Sequence, residues 1–155
     1  VDLGMVESVS RRQGLHYTFF APDELVLVTR TGGRYARTES LTCEQLLSTP
    51  LVLRENGSGT LEVISAALAA KGIRLSQLDV VMRLGTTEGI KGFVRNSDVL
   101  AIVSVTSVVD ELRSGALRII DIEGLTLSRD FNFVHAEAEP ARLVRQFVDF
   151  ARANR

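Results

Sequence analysis

The sequence has little of what small proteins use for cross-links, metal sites and redox chemistry. It holds one cysteine, two histidines and no tryptophan. A single cysteine, Cys43, excludes a disulfide within the chain, and a reducing cytoplasm is the simplest setting for such a protein. His16 and His135 lie far apart, and no cysteine or carboxylate cluster has the spacing of metal ligands. We therefore predict neither a bound metal nor a cofactor.

Long apolar runs and an excess of charge of one sign are also missing. No uninterrupted apolar stretch approaches the roughly 20 residues that span a bilayer, and no signal-peptide pattern opens the chain. The net charge is −1, from 18 basic and 19 acidic residues, whereas a DNA-binding domain is usually clearly basic. We therefore expect this chain to contact neither a membrane nor DNA by itself.

Short apolar strands alternate with short helices along the chain. Strands are predicted over residues 24–29, 51–53, 79–84, 100–105, 117–122 and 130–135. Thr42 and Gln45 form a capping box, which marks a helix start. Ser107 is expected to cap a helix over residues 108–114, and Pro140 to open the last helix. This alternation predicts an α/β fold with a largely parallel sheet.

The turn over residues 56–60 leads from a strand into a helix and contains Gly57, Ser58 and Gly59. Glycine-rich turns at this position hold anions through exposed backbone amides. The turn lacks the lysine of a phosphate-binding P-loop, the three-glycine spacing of a dinucleotide site and the serine elbow of hydrolases. A tight turn with a helix cap explains it about as well as a ligand site in which the Ser58 hydroxyl takes part.

Two further strand-to-helix turns carry hydroxyl groups, around Thr86 and around Thr106. Helix capping explains each of them alone, and the dipole of the following helix explains Glu88. In open α/β sheets, however, ligands bind outside the carboxyl ends of the strands, where such turns gather. The three turns together therefore predict a site for a small polar or anionic ligand.

The order of these features resembles the C-terminal effector-binding domain of LysR-type transcriptional regulators. Residues 2–7 are similar to the family's "D-L-G-L-V" strand, and residues 23–29 to its "E-x-L-x-L-V" crossing strand. Residues 56–60 fall where the family carries its "G-S-G/T" effector loop, and residues 100–117 resemble the strand and helix that follow. Each piece is unspecific alone, but their order and spacing cover essentially the whole chain.

The resemblance implies an α/β fold like that of type II periplasmic binding proteins, with an effector held between two subdomains. Residues 23–128 would then form one complete Rossmann-like subdomain, and residues 1–22 and 129–155 a remnant of the other. The chain opens at Val1 in mid-pattern, so we expect a fragment. It would lack the start of the first subdomain and the DNA-binding helix-turn-helix.

The resemblance also implies a small-molecule effector and no catalytic residue. The residues expected at the effector are Ser58, Gly59, Thr60, Glu7, Thr86 and Thr106. Glu7 is a departure from the family pattern, because a carboxylate repels an anionic effector unless it is paired. A second departure is Thr106, which lies in a turn where the family often has proline.

The parent protein is expected to be a homodimer or tetramer in the cytoplasm, with DNA bound only through the missing N-terminal domain. The helix predicted over residues 60–71 is apolar on more than one face, as a partner-facing helix would be. The main rival hypothesis is a solute-binding protein of a transporter. Two further hypotheses are an enzyme that uses Glu7 and a structural fragment that cannot bind ligand.

Overall fold

The computed structural model describes residues 1–7, 11–136 and 139–154. Residues 8–10, 137–138 and 155, which belong to the predicted remnant, lie outside the described residues. The strands are β1 (Gly4–Val6), β2 (His16–Arg30), β3 (Ser40–Leu41), β4 (Leu51–Arg54), β5 (Val80–Leu84), β6 (Leu100–Ser104), β7 (Leu117–Ile122) and β8 (Leu127–His135). The helices are α1 (Cys43–Leu47), α2 (Gly59–Ala69), α3 (Thr87–Arg95), α4 (Val109–Arg113) and α5 (Arg142–Ala153).

The strands form one mixed sheet with the order β1-β8-β2-β6-β4-β5, to which β7 and β3 are joined beside β2. Among the residues that the structure describes, parallel pairing is confined to β4 with β5 and β6, and to β3 with β7. The long strand β2 runs antiparallel to β6, β7 and β8, and β1 runs antiparallel to β8. The prediction of a largely parallel sheet is therefore wrong. Helices between strands indicate crossovers locally, but they do not reveal how distant strands pair.

A two-stranded neck connects the two ends of the sheet. Strand β8 pairs with β2 along its whole length, but β1 reaches only as far as Asn132 of β8, and β6 begins its pairing at Leu25 of β2. Between these limits β2 and β8 have only each other as partners within the described residues. Pro22 lies in this neck, next to a register shift between Phe19 and Ala21. Proline has no amide to donate to a ladder, and it is tolerated there because β2 has a neighbouring strand on one side only.

The core lies on both faces of the sheet around β4. Leu51 and Leu53 pack with Ile64 of α2 on one face, whereas Val52 packs with Ile90 of α3 on the other. All five side chains are fully buried. Strand β4 therefore has apolar residues in succession, as is typical of a parallel strand covered by helices on both sides.

The predicted helix starts have mixed outcomes. The capping box is confirmed: Thr42 Oγ1 accepts from the Gln45 amide at 3.2 Å, and Gln45 Oε1 accepts from the Thr42 amide at 2.9 Å. The predicted Ser107 cap is wrong, because its hydroxyl donates to the Ser104 carbonyl at 2.7 Å and α4 begins only at Val109. None of the described helices is long and apolar enough to cross a membrane.

The backbone conformations of two glycines, Gly72 and Gly92, yield a stability prediction. Gly72 follows α2 with φ of 74°, and a Cβ there would meet no atom within 4 Å. Gly92 lies inside α3 with equally open surroundings. Gly72→Ala should lower the free energy of unfolding by about 1 kcal/mol, because left-handed backbone disfavours a Cβ. Gly92→Ala should raise it by about 1 kcal/mol through helix propensity. Urea denaturation measures the free energy of unfolding of both variants. A change of the same sign in both would contradict the left-handed backbone at Gly72 or the helical backbone at Gly92.

Candidate functional site

A cleft of about 530 Å³ opens between β1 and the start of α2. Its size suits a small metabolite, since ligand pockets usually measure roughly 300–1,000 Å³. One wall comes from β1, a second from the turn and first residues of α2, and β2 and β8 contribute aromatic side chains. The lining residues are Met5, Val6, Glu7, Arg12, Leu15, Tyr17, Gly57, Gly59, Glu62 and Phe131.

The turn before α2 is shaped for close approach to β1. Gly57 has φ of 88°, which permits the tight turn after β4. Ser58 is buried and its hydroxyl accepts from the Leu61 amide at 3.2 Å, so it caps α2. A Cβ at Gly59 would lie 2.5 Å from Glu7 Cγ. Only glycine at this position lets the Glu7 side chain lie against the beginning of the helix.

The buried guanidinium of Arg129 lies behind the wall that Glu7 and the start of α2 form. Arg129 of β8 contacts Glu7 Oε2 with Nη1 at 2.7 Å, and Asp23 Oδ2 with Nε at 2.7 Å. Its Nη1 also donates to Thr60 Oγ1 at 2.9 Å. The Arg129 side chain is 4% exposed and that of Asp23 is 0% exposed. We call these four residues, Glu7, Asp23, Thr60 and Arg129, the hinge cluster.

The hinge cluster ties the neck to elements on both sides of it. Asp23 and Arg129 are direct cross-strand partners in the neck, where opposite charges stabilise a strand pair. Asp23 Oδ1 also accepts from Ser104 Oγ at 2.7 Å, and Ser104 Oγ shares a 2.8 Å hydrogen bond with Thr106 Oγ1. Buried charges are stable only when paired and hydrogen-bonded in this way.

A second ion pair lies where β4 leads into the cleft turn. Arg54 donates to both carboxylate oxygens of Glu55, from Nε at 2.8 Å and from Nη2 at 2.9 Å. The hydrogen bond from Arg54 is the main cause that lowers the pKa of the exposed Glu55 carboxyl. This pair holds the end of β4 just before Gly57.

Lys91 of α3 links the two other turns that the sequence singled out. Its ammonium lies 2.9 Å from both Glu88 and Glu111, and it donates to the Ser107 carbonyl at 3.0 Å. The hydrogen bond to Glu88 is the largest of the causes that raise the pKa of Lys91. Glu88 therefore has a partner in Lys91 besides its place in the first turn of α3. This cation therefore joins the first turn of α3 to the segment after β6.

The structure brings four of the six predicted site residues together: Glu7, Ser58, Gly59 and Thr60. Glu7 and Gly59 line the cleft, whereas Ser58 and Thr60 are buried next to them. Thr86 is exposed, caps α3 by accepting from the Gly89 amide at 3.1 Å, and is not among the lining residues. Thr106 also lies outside the lining and reaches the hinge cluster only through Ser104.

Sequence reasoning missed Asp23 and Arg129. A signal was present in both strands, because each residue occupies a core position of a period-two pattern. Asp23 alternates with the buried Leu25 and Leu27, and Arg129 follows the buried Leu127 at the same spacing. A charged residue at an apolar position of each of two strands predicts a buried pair wherever those strands are neighbours.

Comparison with known proteins identifies the family of the whole chain. The family model described as "LysR substrate binding domain" matches residues 1–155. The HTH-type transcriptional regulator Rv2282c of Mycobacterium tuberculosis is 31% identical over 151 residues, which are 95% of this chain and 48% of that protein. YeiE of Escherichia coli K12 is 29% identical over 97% of this chain and 50% of its own length. The chain spans about half the length of these two relatives.

One relative has a different kind of name. A protein of Anaeromyxobacter dehalogenans called phosphonates import ATP-binding protein PhnC is 34% identical over 154 residues, 99% of this chain. The chain covers only 31% of that protein and has no phosphate-binding P-loop. Nothing about ATP therefore applies to this chain.

Solved structures confirm the predicted fold. The regulatory domain of Synechocystis PCC6803 CcmR in complex with 2-PG superposes with a TM-score of 0.83 at 23% identity, covering 99% of this chain and 73% of that one. The effector binding domain of QuiR in complex with shikimate gives 0.81 at 16% identity, covering 99% and 71%. The fold is thus the periplasmic-binding-protein-like α/β fold of LysR regulatory domains.

The charge balance of the hinge cluster yields a stability prediction. Arg129→Met keeps most of the buried side-chain volume but leaves two carboxylates without their cation. We expect a loss of about 3–5 kcal/mol in the free energy of unfolding, as for other broken buried pairs. Arg30→Met removes the more exposed pair with Asp98 and should cost less than about 1 kcal/mol. Equal losses in the two variants, measured by urea denaturation, would refute the special role of Arg129.

Proposed function

Because the chain belongs to the family of LysR substrate-binding domains, the non-enzymatic effector-binding part of LysR-type transcription regulators, we propose that its cleft binds one small polar or anionic metabolite. The observation that carries the proposal is the cleft of about 530 Å³ between β1 and α2, in whose lining Glu7 is held by the buried Arg129. The complexes of CcmR with 2-PG and of QuiR with shikimate support a ligand of this size.

The proposal includes a division into two subdomains. Residues 23–128 form one subdomain, and residues 1–22 and 129–155 belong to the other. The two-stranded neck supports this division, because β1 lies beyond one end of it and β4, β5 and β6 beyond the other. A ligand that contacts both β1 and α2 has its best contacts in one relative setting of the two parts, and it therefore favours that setting.

We further propose that this setting is relayed to a DNA-binding domain outside the chain, in a cytoplasmic homodimer or tetramer. Rv2282c and YeiE, both named HTH-type regulators, support the first part. Support for self-association comes from α2, which exposes Ala66, Ala69 and Ala70 on the side away from the core. Small apolar side chains permit close packing of a partner helix.

Ser58, Gly59 and Thr60 are the proposed ligand contacts at the start of α2, with Glu7 opposite. Ser58 is the first choice, because its oxygen lies at the helix N-terminus, where partial positive charge accumulates. Its own lone pairs allow a ligand contact besides the cap to Leu61. Thr86 and Thr106 stay predictions of lower rank.

A ligand screen tests the proposal. A thermal-shift panel of neutral, cationic and anionic small metabolites should contain one that raises the unfolding midpoint, and calorimetry should give one site per chain. Ser58→Ala should weaken that affinity about tenfold, as expected for loss of one hydrogen bond.

The matched control for Ser58→Ala is Thr42→Ala, which removes the cap of α1 away from the cleft. Both variants should lose about 1 kcal/mol of stability, but only Ser58→Ala should lose affinity. A panel without any stabilising member counts against the proposed function. Equal affinities of the two variants would remove Ser58 from the site.

A further inference from the structure

Glu7 occupies the place in the cleft that suits an anion best. Its Oε2 accepts from the buried Arg129 at 2.7 Å, and its Oε1 lies 3.5 Å from the Thr60 hydroxyl, at the limit of a hydrogen bond. Thr60 Oγ1 itself accepts from Arg129, so its proton is available to Glu7. The Glu7 side chain also lies against Gly59, in the first turn of α2.

These contacts are the ones that proteins use to hold a small oxyanion. A guanidinium and a hydroxyl donate hydrogen bonds to negative charge, and the positive end of the helix dipole nearby also favours it, so together they select an oxygen-bearing anion. Here the chain itself supplies that anion, from a different element than the groups that hold it. Glu7 is 27% exposed, and Arg129 behind it is 4% exposed. An external anion therefore meets a carboxylate before it meets the guanidinium.

The charges around the cleft make an added anion still less favourable. The hinge cluster contains two carboxylates and one guanidinium. The lining adds Glu62 on the α2 side and Arg12 on the opposite side, whose charges cancel. Arg54 also interacts electrostatically with Glu7, but it is paired with Glu55, so the excess in the cluster remains. An incoming anion must either accept this negative surrounding or displace Glu7 from Arg129.

We propose that Glu7 is a specificity-determining residue that acts as a built-in carboxylate ligand of the anion site. The cleft then rejects small anions and selects a metabolite that presents a hydroxyl or amine donor to Glu7. This inference rests on the proposed function and narrows it to donor-bearing ligands without a negative group at this position. Gly59 belongs to the same arrangement, because any side chain there would push Glu7 away from α2.

Inorganic sulfate is the probe that tests the inference. It is titrated by calorimetry into the 155-residue chain, with sodium chloride at matched ionic strength as the reference. The wild-type chain should show no saturable sulfate binding. Glu7→Ala should bind one sulfate per chain, at least about tenfold more tightly than the wild type, because Arg129 and Thr60 become available.

Three further variants separate this effect from folding and from overall charge. Glu7→Gln keeps the shape of the side chain and removes its charge, so its circular dichroism spectrum should be that of a folded chain. It should bind sulfate more tightly than the wild type but less tightly than Glu7→Ala. Glu62→Ala removes the same charge from another part of the lining and should gain none. The double variant Glu7→Ala/Arg129→Met should lose the gain again.

Two results would overturn the inference. One is sulfate affinity of the wild type equal to that of Glu7→Ala, and the other is a folded Glu7→Ala that gains no more than Glu62→Ala. A gain in Glu7→Ala supports the inference even if the metabolite screen finds no stabilising ligand. The metabolite screen tests the proposed function and the sulfate titration tests the role of Glu7, so either one can fail without the other.

Discussion

Arg129 and Asp23 form a buried ion pair that joins the two strands of the neck. The two residues are cross-strand partners in the narrowest part of the sheet, where β2 and β8 have no other described strand beside them. Both side chains are almost completely removed from solvent, so neither charge is tolerable without the other. Glu7 and Thr60 complete the coordination of the same guanidinium, which brings β1 and α2 to one point and thereby forms the cleft.

The cleft owes its shape to residues that take up each other's polar groups. Ser58 caps α2, Gly59 leaves room for Glu7, and Arg129 binds both Glu7 and Thr60. A site arranged in this way needs no ligand to satisfy its buried charges. The energetic contribution of a ligand is then the difference between its contacts and the internal contacts that it replaces, which favours selectivity over affinity.

Much of the fold was predictable because its signals are local. The capping box at Thr42 and the apolar strands between helices each depend on neighbouring residues, and the strand-and-turn order of the LysR family carried the architecture. The hinge cluster was not predictable as a unit, because Asp23 and Arg129 are 106 positions apart and meet only through the register of β2 and β8. The direction of the strands was predicted wrongly for the same reason. The Ser107 cap was predicted wrongly because its hydroxyl donates to the Ser104 carbonyl and α4 begins only at Val109.

The neck of β2 and β8 has a mechanical consequence. A two-stranded ribbon is usually more strongly twisted than a wide sheet, and here it is the only part of the described sheet that joins β1 to β6. Beside it, one guanidinium binds both Glu7, next to β1, and Thr60 of α2. Any change in the distance between Glu7 and Thr60 therefore alters both contacts of Arg129 together.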